Sequence, residues 1–245
     1  MKIMGIDIGG SGIKGAPVEI ETGLLAEERY RLATPEPSSP DAVGDVVTKV
    51  VKYFKWKGPV GCTIPSVVRD GVAYTAANID QAWIGTNGRK LLQRKTRRPV
   101  FLLNDADAAG MAEMEFGAGR GQKGVVIVLT FGTGIGSAIF INGQLVPNTE
   151  LGHIELRGKD AEWRVSDRAR QDKGLNWKKW AGRVNEYLGR IESLFSPDLI
   201  IVGGGVSKRH EKFLPMLTTR AQVVPAQLLN DAGIVGAALA ARILV

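Results

Sequence analysis

At 245 residues, 44% hydrophobic and 23% charged, the chain has apolar material for one large folded core or two small ones, which excludes a disordered polypeptide. A single cysteine, Cys62, excludes an internal disulfide and a cysteine-rich zinc site and fits a reducing cytoplasm. The apolar stretch at residues 234–245 is too short for a membrane span and contains Arg242, and the acidic Asp7 interrupts the start where a secretory apolar region would continue. The net charge of +7 is uneven. Residues 157–190 hold ten Lys/Arg against five Asp/Glu, and residues 89–98 hold six with no acid. Such local charge suits a polyanion, either nucleic acid or an inorganic phosphate chain, with a merely solvated basic face as the alternative.

In chain order, residues 2–8 form a short apolar run that breaks into Gly9, Gly10, Ser11 and Gly12. Residues 13–20 and 24–32 predict two further strands joined by a turn at 21–23. A glycine turn that leads from strand to strand, instead of strand to helix, argues against a dinucleotide-binding fold. Residues 34–40, with three prolines, predict a loop, after which Asp41 caps a helix whose apolar residues 42, 43, 46, 47, 50, 51 and 54 share one face. A strand at 59–64, a hairpin around Asp70 and Gly71, an aperiodic polar loop at 78–83 and a helix at 89–98 follow. The apolar run at 100–103 then ends in Asn104 and Asp105, and residues 106–114 predict a helix.

The second half repeats the opening. Residues 125–130 are β-branched and break into Phe131, Gly132, Thr133, Gly134, Ile135 and Gly136 before a strand at 138–141, an Asn142-Gly143 turn and a strand at 144–147. Glu150, His153 and Glu155 follow within six residues. Residues 177–195 predict a helix with Trp180, Val184, Tyr187, Leu188 and Ile191 on one face. A strand at 198–202 runs into Gly203, Gly204 and Gly205. A helix through residue 214, a strand at 222–224 and a closing Ala-rich helix at 231–243 complete the chain.

Glycines let backbone N–H groups approach an anion, so both glycine turns are candidate phosphate cradles, the first with Lys14 within reach. A carboxylate at the carboxyl end of a strand, as at Asp105, lies where open α/β sheets place ligands, although Asn104 or Asp105 is equally suited to capping the helix.

Taken in order, Asp7 to Lys14, Asn104 to Ala109, Leu129 to Gly136, Glu150 to His153 and Ile201 to Gly205 resemble the signature of the ROK family of sugar kinases over essentially the whole chain. The resemblance implies an α/β, actin-like ATPase (ribonuclease H-like) fold with two α/β domains around a central cleft. The small N-terminal domain is expected at residues 1–108, with 231–245 packing back on it, and the larger domain at 109–230. Asp105 matches the catalytic base, which must orient the accepting hydroxyl and take its proton. Asn78, Asn104, Glu150, His153 and Glu155, with Ser66 as a further candidate, match sugar-binding positions. Asp7, Gly9, Gly10, Ser11, Lys14, Thr130, Gly132, Thr133, Gly134, Gly203, Gly204 and Gly205 match donor-binding positions, with Asp7 holding Mg²⁺ through water.

Here His153 is followed by a basic stretch without cysteine, so a structural zinc is not expected. This stretch and the short chain resemble the polyphosphate glucokinase branch, whose activity would be phosphoryl transfer from inorganic polyphosphate, with ATP left open as a second donor, to the 6-hydroxyl of glucose. Arg157, Lys159, Arg164, Arg168 and Lys208, with Arg170 and Lys173, are candidates for a polyphosphate track. The alternatives are an ATP-dependent hexokinase of the same family acting on glucose, mannose or an N-acetylhexosamine, and a family-related DNA-binding repressor, for which no helix-turn-helix is expected ahead of Asp7. A nucleic-acid module is disfavoured because aromatics are not interleaved with the charge. The resemblance and the tryptophans near residue 180 point to a cytoplasmic homodimer without nucleic-acid or membrane partners.

Overall fold

The computed structural model describes all residues, Met1–Val245, and the chain divides into two compact units: Met1–Ala112 with Asp231–Val245, and Glu113–Asn230.

In the first unit, β1 (Lys2–Ile8) and β2 (Ile13–Glu19) form an antiparallel hairpin closed by the first glycine turn, with Asp7 opposite Lys14. The third strand, β3 (Tyr30–Leu32), is far shorter than residues 24–32 predicted. After a single bridge from Leu25 to Val18, the exposed Glu27 and Glu28 leave the sheet, and pairing resumes only where Tyr30 meets Gly15. Helix α1 (Pro40–Tyr53) buries Val43, Val47, Val50 and Val51, but its cap is Ser39, whose hydroxyl accepts from the Ala42 N–H. Pro40 takes the first helical position, where its missing N–H costs nothing, and this moves Asp41 into the first turn. The chain then forms β4 (Val60–Ile64), a small hairpin of β5 (Val68–Arg69) and β6 (Val72–Ala73), helix α2 (Gly88–Thr96), β7 (Val100–Asn104) and helix α3 (Asp105–Phe116). The sheet order is β3-β2-β1-β4-β7, the last two joining in parallel. Because β4 is covered on both faces it reads as a continuous apolar run, with Cys62 fully buried in it. The closing helix, Ala232–Ala240, lies directly on this sheet. A Cβ at Gly5 or Gly61 would run into the carbonyls of Ile234 or Ala237, so glycine is what lets helix and strand backbones touch.

The second unit repeats the scheme. Strands β8 (Val125–Phe131), β9 (Ile135–Ile141) and β10 (Gln144–Val146) run antiparallel, and β8 continues in parallel to β13 (Leu199–Gly203) and β14 (Gln222–Pro225), in the order β10-β9-β8-β13-β14. Between β10 and β13 lie a hairpin of β11 (Glu155–Leu156) and β12 (Lys159–Asp160), the short helices α4 (Glu162–Val165) and α5 (Asp167–Asp172), and the 19-residue α6 (Trp177–Phe195). Asn176 caps α6 by accepting from the Lys179 N–H, and Trp180, Val184, Tyr187, Leu188 and Ile191 are all buried against the sheet. Each such side chain contributes about 1.5–3 kcal/mol of transfer free energy. Of the tryptophans near residue 180, Trp180 is buried inside the unit and Trp177 partly so. Trp180 packs edge-on to Phe131 and Phe213, and Trp177 stacks on Phe213. The segment after β13, read as a helix through residue 214, consists of two 3-10 helices, Gly205–Lys212 and Leu214–Met216. No helix is long and apolar enough to cross a membrane.

Candidate active site

Asn104 ends β7 and begins α3 at once. Its Oδ1 accepts from the N–H groups of Ala106 at 2.8 Å and Asp107 at 3.0 Å, while its Nδ2 donates to the Ser66 carbonyl at 3.1 Å. The buried Asn104 is thus the cap, and Asp105 is the first residue of the helix, half-buried, with Oδ1 accepting from Ala106 N–H at 2.9 Å. Two of the first-turn donors are satisfied by Asn104, so the Asp105 carboxylate is set against the positive end of a helix whose cap does not depend on it. The Ser66 hydroxyl is committed locally, donating to Val67 O at 3.0 Å and accepting from Thr75 N–H.

At the first glycine turn, Asp7, Lys14 and Arg31 stand directly opposite one another on β1, β2 and β3 and so share one face of the sheet. Asp7 Oδ2 pairs with Lys14 Nζ at 3.1 Å, and its Oδ1 accepts from the Thr63 hydroxyl at 2.8 Å. Arg31 reaches back over the turn to donate to Ser11 O at 3.0 Å. The turn is held by Gly9 N–H donating to Gly12 O at 3.1 Å and by the Thr34 hydroxyl on Gly9 O. Gly10 backs onto Asn78: a Cβ there would lie 2.9 Å from the Asn78 carbonyl oxygen, so the turn and the exposed, left-handed Asn78 (φ 60°) can be close only because residue 10 is glycine. The structure thus joins Asp7, Gly10, Lys14 and Asn78. Arg31 and Thr63 are additions that the sequence reading missed, Thr63 because 56 residues separate it from Asp7. Arg31 was within reach of strand-register counting.

In the second unit Thr130 stands opposite Gly136, and the turn of Gly132, Thr133 and Gly134 closes with Gly132 N–H donating to Gly134 O at 3.0 Å. Two residues of the basic segment brace this turn. Glu162 Oε2 accepts from Ile135 N–H at 3.3 Å, and Arg168 N–H donates to Gly132 O at 3.1 Å. Gly203 ends β13 beside Thr130, Gly204 follows with φ 80° against the Phe131 backbone, and Gly205 opens the 3-10 helix that carries the exposed Lys208.

Glu150 precedes the 3-10 turn Leu151–His153, which is anchored by Leu151 N–H on Ser137 Oγ at 2.9 Å and by the Tyr187 hydroxyl on Leu151 O at 3.2 Å. Burial, and then the like charge of Glu162, push the Glu150 carboxyl above its ordinary value against the opposing pull of His153. His153 Nδ1 bonds Asp160 Oδ2 at 2.7 Å, which holds the imidazole above its ordinary value; Glu162 and Glu150 add to that and partial burial opposes it. Asp160 is placed by the β11/β12 hairpin, opposite the exposed Glu155, through a turn in which Arg157 (φ 57°) and Gly158 (φ 78°) are both left-handed. The sequence reading missed Asp160 and Glu162 because only the folded hairpin shows what they touch.

The expected polyphosphate track is not uniform. Arg170 is turned inward, paired with Asp167 at 2.8 Å and stacked over Trp177 at 4.2 Å, so it braces α5 instead of facing a donor. Arg157 and Arg164 converge on Glu186, Arg164 at 3.1 Å. Arg168 is exposed and only loosely paired with Asp172 at 3.6 Å.

The sequence profile of the ROK family matches residues 3–174. The chain is 51% identical over 237 residues to the polyphosphate glucokinase of Mycobacterium tuberculosis strain H37Rv, covering 96% of this chain and 89% of the relative. It superposes on the inorganic polyphosphate/ATP-glucomannokinase of Arthrobacter sp. strain KM with a TM-score of 0.96 at 47% identity, over 100% of this chain and 99% of that one. A ROK family glucokinase from Streptomyces griseus, solved with glucose and AMPPNP, gives a TM-score of 0.84 at 27% identity over 99% and 100% of the two chains. The chain belongs to the ROK family, and its two units have the α/β architecture of the actin-like ATPase fold.

Proposed function

We propose that the chain is a glucokinase that transfers the terminal phosphoryl group of inorganic polyphosphate to the 6-hydroxyl of glucose. The observation that carries the reading is its 51% identity to a polyphosphate glucokinase along nearly the whole of both chains. The attachment of the basic segment to the second glycine turn through Arg168 and Glu162 supports the choice of donor.

In this reading Asp105 orients the 6-hydroxyl and takes its proton as the phosphoryl group arrives. Asn78, the remaining N–H of Asn104, Glu150, His153 and Glu155 hold the other hydroxyls; carboxylates accept, and the imidazole of His153, fixed through Nδ1 by Asp160, contacts a hydroxyl through its other nitrogen. The N–H groups of residues 9–12 and 132–134, with Ser11, Thr130, Lys14 and Arg31, bind donor oxygens. Gly203, Gly204 and Gly205 receive the nucleotide when ATP is the donor. A Mg²⁺ ion fits Asp7, whose two oxygens already have protein partners and so would hold it through water, and no group of three or more His, Cys, Asp or Glu forms an all-protein cage. When bound, the ion would neutralise charge on the donor oxygens.

The Arthrobacter relative is described as a polyphosphate/ATP-glucomannokinase, which favours mannose as a second acceptor and ATP as a second donor. The enzyme acts in the cytoplasm as a homodimer, the latter resting on family resemblance alone. Initial rates of glucose 6-phosphate formation with polyphosphate and with ATP, at low and raised salt, test the reading. Polyphosphate is expected to be the better donor and the more salt-sensitive one. A chain that uses ATP alone would overturn it.

A further inference from the structure

Lys14, Asp7 and Thr63 stand side by side on β2, β1 and β4, so their side chains leave the same face of the sheet. The parallel register of β1 with β4 stops at the Asp7–Thr63 pair, and the next amide of β1, Ile8 N–H, donates to the Thr63 hydroxyl at 3.3 Å. A threonine hydroxyl has one hydrogen to give, and here it goes to Asp7 Oδ1 at 2.8 Å. Thr63 has no exposed surface, and its branched side chain has few rotamers open to it, so the direction of that hydrogen bond is fixed by the strand itself.

Asp7 is held on its other sides as well. Lys14 Nζ lies 3.1 Å from Oδ2. The closing helix, whose second residue is Gly233, passes directly against the carboxylate: a Cβ at Gly233 would lie 2.7 Å from both Cγ and Oδ2 of Asp7. Gly5 and Gly61, which bring the same helix onto the sheet, come two residues before Asp7 and Thr63 and so share their face. One oxygen therefore meets a hydroxyl, the other an ammonium group, and the flank meets helix backbone. The Asp7 side chain still keeps 18% of its surface exposed. A carboxylate that reaches solvent beside the first glycine turn is thus aimed by buried partners behind it.

We propose that Thr63 is a positioning residue for phosphoryl transfer: its hydroxyl, with Gly233 closing the opposite flank, keeps Asp7 in the orientation that serves the water shell of the magnesium ion. The proposal rests on the role given to Asp7 above, and not on whether the donor is polyphosphate or ATP. Without the hydroxyl the carboxylate samples other rotamers, and only a fraction of the molecules is competent at any moment.

The test is a double-mutant cycle of Thr63→Val with Asp7→Asn, with Thr63→Ser as the conservative variant. Thr63→Val should lower kcat about tenfold with every donor the enzyme uses and leave KM for glucose unchanged, and Thr63→Ser should recover most of the loss. In the Asp7→Asn background the same substitution should cost less than about twofold, because Thr63 acts only through that carboxylate. A merely structural role would give the same further loss in both backgrounds. Away from turnover, the affinity for Mn²⁺ in the presence of tripolyphosphate and the absence of glucose, read by electron paramagnetic resonance, should fall about tenfold in Thr63→Val. Gly233→Ala keeps the hydroxyl but presses on the carboxylate from the helix side; it should lower kcat by a similar factor, be silent in Asp7→Asn, and carry the cycle if Thr63→Val does not fold. Additive losses in the cycle, or an unchanged or tightened Mn²⁺ affinity, would overturn the positioning role. An Asp7→Asn enzyme with wild-type kcat and Mn²⁺ affinity would instead remove Asp7 from the reaction, and with it the reading on which the proposal stands.

Discussion

The two glycine turns share a scaffold and differ in chemistry. Each closes an antiparallel hairpin that continues in parallel through two more strands, in the same five-strand order. In the first, the facing pair beside the turn is Asp7 and Lys14, with Arg31 next in the row; in the second it is Thr130 and Gly136. The first turn is crowded, so that Gly10 abuts Asn78, whereas nothing lies within 4 Å of a Cβ built at Gly132. A repeated fold can therefore carry a facing ion pair on one copy and an uncharged pair with open space at Gly132 on the other, because strand pairing fixes where the positions are and not what fills them.

The largest break in this comparison is expected at the charged copy. Asp105→Asn should lower kcat by about 10³-fold, with the fold and glucose affinity retained, as checked by steady-state kinetics, circular dichroism and calorimetric titration. Near-normal turnover would remove Asp105 from the chemistry. Next, Asp7→Asn should cost roughly 10²-fold in kcat, because it leaves Lys14 without its carboxylate and weakens the proposed metal contact, whereas Thr130→Val should cost about tenfold or less. Equal losses would mean that the two turns bear equal charge in the reaction. A smaller contrast concerns shape. Gly10→Ala must displace Asn78 and should lower stability by about 1–3 kcal/mol in denaturant unfolding. Gly132→Ala meets open space and should leave stability unchanged while raising the donor KM, since the added methyl group lies where a phosphate would approach.

The smallest effect is the pH response of His153. Its folded value is raised, chiefly by Asp160, so the pair stabilises the fold below the ordinary histidine range and loses that contribution as pH rises through the raised value. Asp160→Asn should bring the imidazole back toward its ordinary value and lower the unfolding midpoint most on the acid side, with the curves converging once pH exceeds the raised value. Proton NMR of the two histidines, His153 and His210, measures it; an unmoved His153 titration would show that Asp160 does not hold the ring.

Much of this was legible in the sequence because it is local. The β-branched runs that break into glycine gave both hairpins, and the apolar spacing gave α6 to its ends. Asn104 and Asp105 could be placed at a strand-to-helix junction, but which of them capped could not be read, since both residue types cap well and only the Ser66 carbonyl, 38 residues away, fixes Asn104 in that role. The same limit hid Thr63 behind Asp7 and Asp160 behind His153, where the partner is set by strand register. Glu113, read only as part of a helix, is buried and accepts from the N–H groups of Ala118, Gln227 and Leu228. Nothing in the spacing of residues 113 and 227 hints at that. The overlong strand at 24–32 failed for the opposite reason: its propensity was sufficient, but exposed acidic residues left the edge without a partner.

Cys62 offers a different kind of access to the molecule. It is the chain's one thiol, it sits with no exposed surface in the interior strand β4 of the first unit, and burial drives its ionisation far above the ordinary range. Alkylating reagents can reach it only when that sheet opens, so the rate of labelling is a clock for the breathing of one unit, recorded on the unaltered protein without an engineered probe.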